Sequence, residues 1–222
     1  MFATGCALHP LANATSKAAM NEIAAKLKAR AARKSAKRDQ KKRQIAQSAL
    51  AALKELGYAN TSLRDIAERS DMSLGMLHYY FEDRSDLIIY CVRIYKEDFV
   101  RNVTEALEAA NGRQDVIAAF SEALASSIMD DGMTHRLWYD IRAQAMFDDT
   151  FRPVVAEIEA KLIGIVRTAY LKAGHDVPEQ VEMSYALLDG VFRYLMQSQI
   201  CDTPRDREEI RSTLQGLLEQ FL

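Results

Sequence analysis

Thr61-Ser62-Leu63-Arg64-Asp65-Ile66-Ala67 and Ser73-Leu74-Gly75-Met76-Leu77-His78-Tyr79-Tyr80-Phe81-Glu82-Asp83-Arg84 are two brief helical periods separated by the turn chemistry of Ser70-Asp71. Leu63, Ile66 and Ala67 share one face at i, i+3, i+4 spacing, and Thr61 offers a side-chain oxygen to cap that helix. Ser73 caps the second period. Its inward residues are Met76 or Leu77 and Tyr80 or Phe81, with Met72 also assigned to the core. Asp83 then caps a further helix that carries Arg84 in its first turn. Upstream, residues 38–56 place Ile45, Ala49, Leu53 and Leu56 on one helical face, and Gly57 ends that helix. A supporting helix followed by two short helices across a tight turn is a helix-turn-helix.

The outward residues of the second short helix suit a nucleic-acid reader. Gly75 leaves the backbone close to any approaching phosphate, and Ser73 with the N–H groups beside it forms an anion site. His78 and Tyr79 can reach base edges or phosphates, though His78 also fits an ordinary surface histidine. Leu74 offers only apolar contact with a thymine methyl, and Arg84 suits a second phosphate.

The run from Thr61 to Leu87 resembles the DNA-binding domain of the TetR family of transcriptional regulators. The Thr before the short helix, the Ile66-Ala67 pair, the Gly in the reading helix, the Tyr-x-Phe close and a basic residue before the fourth helix all agree. The family most often has Lys where this chain has Arg84, which keeps the charge. The resemblance implies DNA contacts by Thr61, Ser62, Ser73, Leu74, Gly75, His78, Tyr79 and Arg84. It also implies a repressor released from a near-palindromic operator by a small-molecule effector, acting as a homodimer in the cytoplasm. A cofactor is not implied.

Charge is distributed unevenly. The formal net charge of −2 combines 17 Lys+Arg against 11 Asp+Glu over residues 1–100 with 12 against 20 over the remainder. Ten basic residues fall between Lys26 and Arg43, with Asp39 the only acid. A basic arm on an acidic body implies a polyanion partner at one end, with Lys37, Arg38 and Arg43 as candidate phosphate contacts. The expected divisions are a disordered or partly helical arm over 1–36, a DNA-binding domain over 37–84 and an acidic helical body over 85–222. Thr4-Gly5-Cys6 superficially resembles a lipoprotein signal, but no basic residue precedes it and His9, Pro10 and Asn13 interrupt the apolar run. Residues 1–19 read instead as a disordered lead, with Met20 as an alternative start.

The fold class expected is all-α, with about nine helices. Beyond the fourth helix, from Arg84 to Ala110, the periodicity predicts helices over 115–129, 133–147, 150–174, 179–200 and 205–222. Asp130-Asp131-Gly132 would break the first pair, and Thr150 would cap the long helix that follows. Leu137 to Met146 is similar to the Trp-containing helix of the choline-responsive repressors. Phe120, His135, Trp138, Tyr139, Arg142, Met146, Phe147 and Tyr194 are the candidate effector-pocket residues. A choline-like cation would want an aromatic cage and an acidic ligand would want Arg142; the residues leave both open. The resemblance places the dimer interface on the last two helices, with Tyr185, Leu188, Val191, Leu195, Leu214, Leu217, Leu218 and Phe221 as candidates.

Other classes find little support. No apolar run approaches the roughly 20 residues of a membrane helix. Cys6, Cys91 and Cys201 form neither a CxxC pair nor a disulfide framework. GxSxG, HExxH and Gly-rich phosphate-loop motifs are missing, so an all-helical enzyme lacks visible machinery. A non-specific architectural DNA binder would need the basic arm but not the large acidic body. If the arm follows phosphates, deleting residues 1–36 flattens the slope of log K against log[salt] in duplex binding; an unchanged slope rejects that role.

Overall fold

The computed structural model describes the backbone of residues 11–200 and 204–222 and the side chains of 25–200 and 204–222. The Thr4-Gly5-Cys6 segment lies outside the described residues. By its internal packing the chain divides into residues 1–45 and residues 46–222. The first unit is helical from Leu11 onward, as the beginning of α1 (Leu11–Leu56). Residues 25–40 are exposed on every side. Such a helix rests on its Ala, Lys and Arg propensities rather than on a buried face.

In the second unit, the end of α1 buries Ala46, Ala49, Ala52 and Leu53. Gly57 closes it at φ 79°, its N–H donating to the Leu53 carbonyl at 2.9 Å. The helix α2 (Leu63–Arg69) is capped by Ser62, not by Thr61 as expected. Ser62 and Asp65 form a reciprocal capping box. Thr61 is buried instead and donates its hydroxyl to the Gly57 carbonyl at 2.7 Å, which ties the loop to the end of α1. Ser73 caps α3 (Leu74–Tyr80), and Asp83 caps α4 (Arg84–Ala109).

The body differs from expectation in one element. The two helices predicted across Asp130-Asp131-Gly132 are a single α5 (Arg113–Gln144). A helical glycine costs about 1 kcal/mol. Burial of Ile128 on one side of it and of Thr134, His135, Leu137 and Trp138 on the other outweighs that cost, while Asp130 and Asp131 stay in solvent. A 3-10 turn (Asp149–Phe151) follows, and Asp148 rather than Thr150 caps it, accepting the Thr150 N–H at 2.9 Å. The chain then forms α6 (Arg152–Lys172), α7 (Val181–Ser198) and α8 (Arg207–Leu218). Eight α-helices are therefore present among the described residues. Packing centres on α5, which lies against α4, α6, α7 and α8. Trp138, Phe120, Ile117 and Ile128 of α5 join Leu107 and Phe151 in the core.

The α2–α3 turn carries local strain. Asp71 has φ 50°, its N–H donates to the Glu68 carbonyl and the Met72 N–H donates to the Ala67 carbonyl. This is the Schellman closure in which glycine is the least costly residue. Asp71→Gly should therefore leave the fold intact and raise unfolding stability by about 0.5–1 kcal/mol in urea titration. A loss of stability would show that the carboxylate contributes more than the strain it imposes.

Candidate nucleic-acid interface and effector cavity

The outer face of α3 presents Ser73, Leu74, Gly75, Met76, His78 and Tyr79 to solvent, while Leu77 and the following Phe81 are buried. Met76, expected in the core, is about half exposed, because the seven-residue helix buries only the face that carries Leu77. A Cβ built on Gly75 would meet nothing within 4 Å, so the chain's own packing does not require glycine there. Ser73 Oγ accepts the Met76 N–H at 3.2 Å. His78 Nδ1 lies 3.3 Å from the Glu82 carbonyl oxygen. Since a carbonyl only accepts, this bond places a proton on Nδ1 and leaves Nε2 of the neutral ring as an acceptor. The Tyr79 ring stands edge-on to Tyr80 at 5.0 Å.

Arg84 is placed differently from expectation. Its Nε donates to the Thr61 carbonyl at 2.7 Å, a terminal nitrogen donates to the Tyr58 carbonyl, and its guanidinium lies 4.3 Å from the Tyr58 ring centroid. These contacts clamp the α1–α2 loop to the start of α4, so Arg84 positions the reading unit instead of reaching outward for phosphate. Thr61 is likewise internal, whereas Ser62 is exposed at the start of α2. Lys37, Arg38 and Arg43 are exposed on the helix of the first unit.

The body holds a cavity of about 50 Å³ lined in part by Lys96, Phe99, Phe120, Tyr139, Tyr185 and Asp189. Of the residues predicted to line it, Phe120 and Tyr139 do so. His135 and Trp138 are buried without lining it. Arg142 is engaged at 2.6 Å with Asp189 and at 2.9 Å with Glu159. Tyr139 donates to the other Asp189 oxygen at 3.0 Å. This network joins α5, α6 and α7, so Arg142 is not a ready anchor for an acid. Met146 and Phe147 follow α5 in solvent, because the chain turns there toward the 3-10 segment. Tyr194 is exposed on α7, with the Arg205 guanidinium over its ring.

Residues 45–91 match the model of the bacterial regulatory proteins, tetR family. The HTH-type transcriptional regulator PksA of Bacillus subtilis (strain 168) is 22% identical over 164 residues, covering 71% of this chain and 80% of that protein. BetI of Agrobacterium fabrum, also an HTH-type transcriptional regulator, is 21% identical over 154 residues, with 68% and 75% covered. The crystal structure of the multidrug binding protein EbrR complexed with imidazole aligns over 79% of this chain and 93% of that one, with TM-score 0.61 and 25% identity. Residues 45–91 are thus a TetR-family DNA-binding region. The chain is accordingly a DNA-binding transcriptional regulator.

Within the helical body, several residues predicted for the dimer interface are taken up by the chain's own core. Leu195, Leu214 and Leu218 are fully buried, and Leu188 nearly so, because α7 and α8 turn their strongest apolar stripes inward. Tyr185, Val191, Leu217 and Phe221 are half-buried at the core edge. The large apolar side chains left exposed on α7 are Met183, Leu187 and Tyr194, spaced along one helical face. No helix among the described residues is long and apolar enough to cross a membrane.

Lys96 lines the cavity and was not among the residues expected there. It is 3% exposed, and its ammonium lies 4.8 Å from the Phe99 ring, 5.0 Å from Trp138 and 5.4 Å from Tyr95. Its register was a usable signal, since it stands four residues after Val92 and seven before Val103 on the buried face of α4. Burial, more than the opposing attraction of Asp189, brings its pKa down to about 7. Burial, then the Lys96 charge, holds His135 well below the usual histidine value. The unfolded chain keeps the Lys96 proton up to about pH 10, whereas the folded chain loses it near 7. Between those values the unfolded state binds more protons, so this group makes stability rise with pH. Lys96→Met should stabilise the protein by about 1–4 kcal/mol near pH 7, and the gap should close toward pH 10 in urea unfolding. Parallel pH profiles for the two proteins would refute the burial of a charged lysine.

Proposed function

We propose that this TetR-family regulator is a homodimeric repressor in which α3 reads the major groove and the α4–α7 cavity binds the releasing effector. Residues 37–84 form the reading module and 85–222 the effector and dimer body. The observation that carries the reading is Gly75, a glycine on the exposed face of α3 that no neighbour in the chain requires. Its missing side chain leaves the backbone of the helix matched to the DNA-binding family open to a close surface, and a DNA backbone is such a surface. Ser62 and Ser73 stand at the exposed starts of α2 and α3, where their hydroxyls and adjacent N–H groups suit phosphates. His78 Nε2, an acceptor by its hydrogen bond, suits an exocyclic base amine, and Leu74 or Met76 a thymine methyl. Lys37, Arg38 and Arg43 add sequence-independent affinity.

Dimerisation through the exposed Met183, Leu187 and Tyr194 face of α7 would set two reading helices one helical turn of DNA apart. Coupling runs along α4. Twelve residues separate Arg84 from Lys96, about 18 Å of continuous helix. A displacement at the cavity therefore reaches the Arg84 clamp on Tyr58 and Thr61 directly. An effector that favours the displaced arrangement lowers DNA affinity by the ratio of its affinities for the two states. No catalytic step is needed, and the site of action is the cytoplasm, where the chromosome is.

Gly75→Glu tests the assignment. Its Cβ enters open space, so the variant should fold and sediment like the parent. Its affinity for duplex from beside its own gene should fall by more than about 100-fold, the scale of placing one unfavourable charge at a phosphate interface. Retained binding would move recognition to the basic helix of residues 26–43 and favour non-specific attachment.

A further inference from the structure

We propose that the effector is a monocarboxylate with an apolar body, its carboxylate paired with Lys96 and its body in the adjoining apolar cavity. The inference rests on the cavity being the effector site and adds the chemical class of what enters it. Lys96 is almost wholly buried and lines the cavity. Among the described residues it has neither a carboxylate within 4 Å nor a hydrogen-bond partner. A buried ammonium without a counter-ion is unfavourable, and an incoming anion relieves it.

The one carboxylate in the cavity wall does not fill that role. Asp189 holds Arg142 with one oxygen and Tyr139 with the other. A second donor is available, because the Tyr185 hydroxyl is buried, faces the same cavity wall and has no hydrogen-bond partner. The remaining buried polar atoms without partners among the described residues are on Tyr95, Thr134, His135 and Trp138. Tyr95 and Trp138 supply rings beneath the Lys96 ammonium, and His135 packs edge-on to Tyr95. Of these side chains only Tyr185 lines the cavity, so Lys96 and the Tyr185 hydroxyl are the two donors without a hydrogen-bond acceptor that a ligand there would meet.

A cationic effector is disfavoured by the same geometry. The faces of Tyr95, Phe99 and Trp138 that could cage a quaternary ammonium already hold the Lys96 ammonium. Phe99, Phe120, Leu124, Leu188 and Phe192 leave only apolar surface for the rest of the ligand. One cation in a small, largely apolar space matches a monoanion better than a phosphate dianion.

Trp138 is the chain's single tryptophan and lies against Lys96, so its fluorescence reports on this site. The full-length protein, without DNA, is titrated with butanoate, hexanoate, octanoate and benzoate, each beside its primary amide, and with hexyltrimethylammonium. At least one acid should give a saturable change and bind about tenfold or more tighter than its amide. Lys96→Met should bring acid and amide within about twofold of each other. Tyr185→Phe, a smaller change, should weaken the acid several-fold and the amide less, which keeps the test decisive if the lysine variant does not fold. Amides or the ammonium binding as well as the acids would overturn the carboxylate assignment while leaving the cavity as a binding site. Saturation by no probe would overturn both. Neither outcome bears on the α3 assignment, which Gly75→Glu tests separately.

Discussion

The guanidinium of Arg84, held by the carbonyls of Tyr58 and Thr61 and by the Tyr58 ring, joins the loop before α2 to the first turn of α4. With this clamp, the orientation of α2 and α3 follows the orientation of α4. Because α4 is uninterrupted from Arg84 to Ala109, its position is also set by what surrounds Lys96 in the body. On the proposed function, the link between reading and sensing is one helix with a hydrogen-bonded clamp at one end and a buried lysine near its middle.

That buried charge is a stability liability placed in the most ordered part of the molecule. The surrounding core is ordinary: Trp138, Phe120, Ile117 and Ile128 are packed without exposure. Nearby, a carboxylate and an arginine satisfy each other across α5 and α7. Lys96 and Tyr185 break this pattern in the wall of the cavity that Asp189 also lines. Natural cores tolerate such departures where function requires them. Here the departure lies at the wall of the cavity proposed to hold the effector.

Much of the DNA-binding module was legible in the residue order, since its signals are local. Leu77 and Phe81 are buried, Gly57 closes α1, and Ser73 and Asp83 cap their helices, each through contacts within a few residues. The misassignments there concern neighbours competing for one role. Thr61 and Ser62 both carry capping hydroxyls, and only the loop's path sends Thr61 inward to the Gly57 carbonyl and leaves Ser62 to cap. Arg84 looked like a phosphate ligand because charge is visible in a sequence and the carbonyls that hold it are not.

Helical class, the positions of most caps and the exposed face of α3 follow from short-range periodicity and side-chain chemistry, which need no distant partner. The continuity of α5 through Gly132, the inward burial of Leu195, Leu214 and Leu218, and the isolation of Lys96 depend on residues far away along the chain. Periodicity shows that a face is apolar but not which helix covers it. A lysine on such a face acquires a counter-ion, or goes without one, only when α5 and α7 have closed over it.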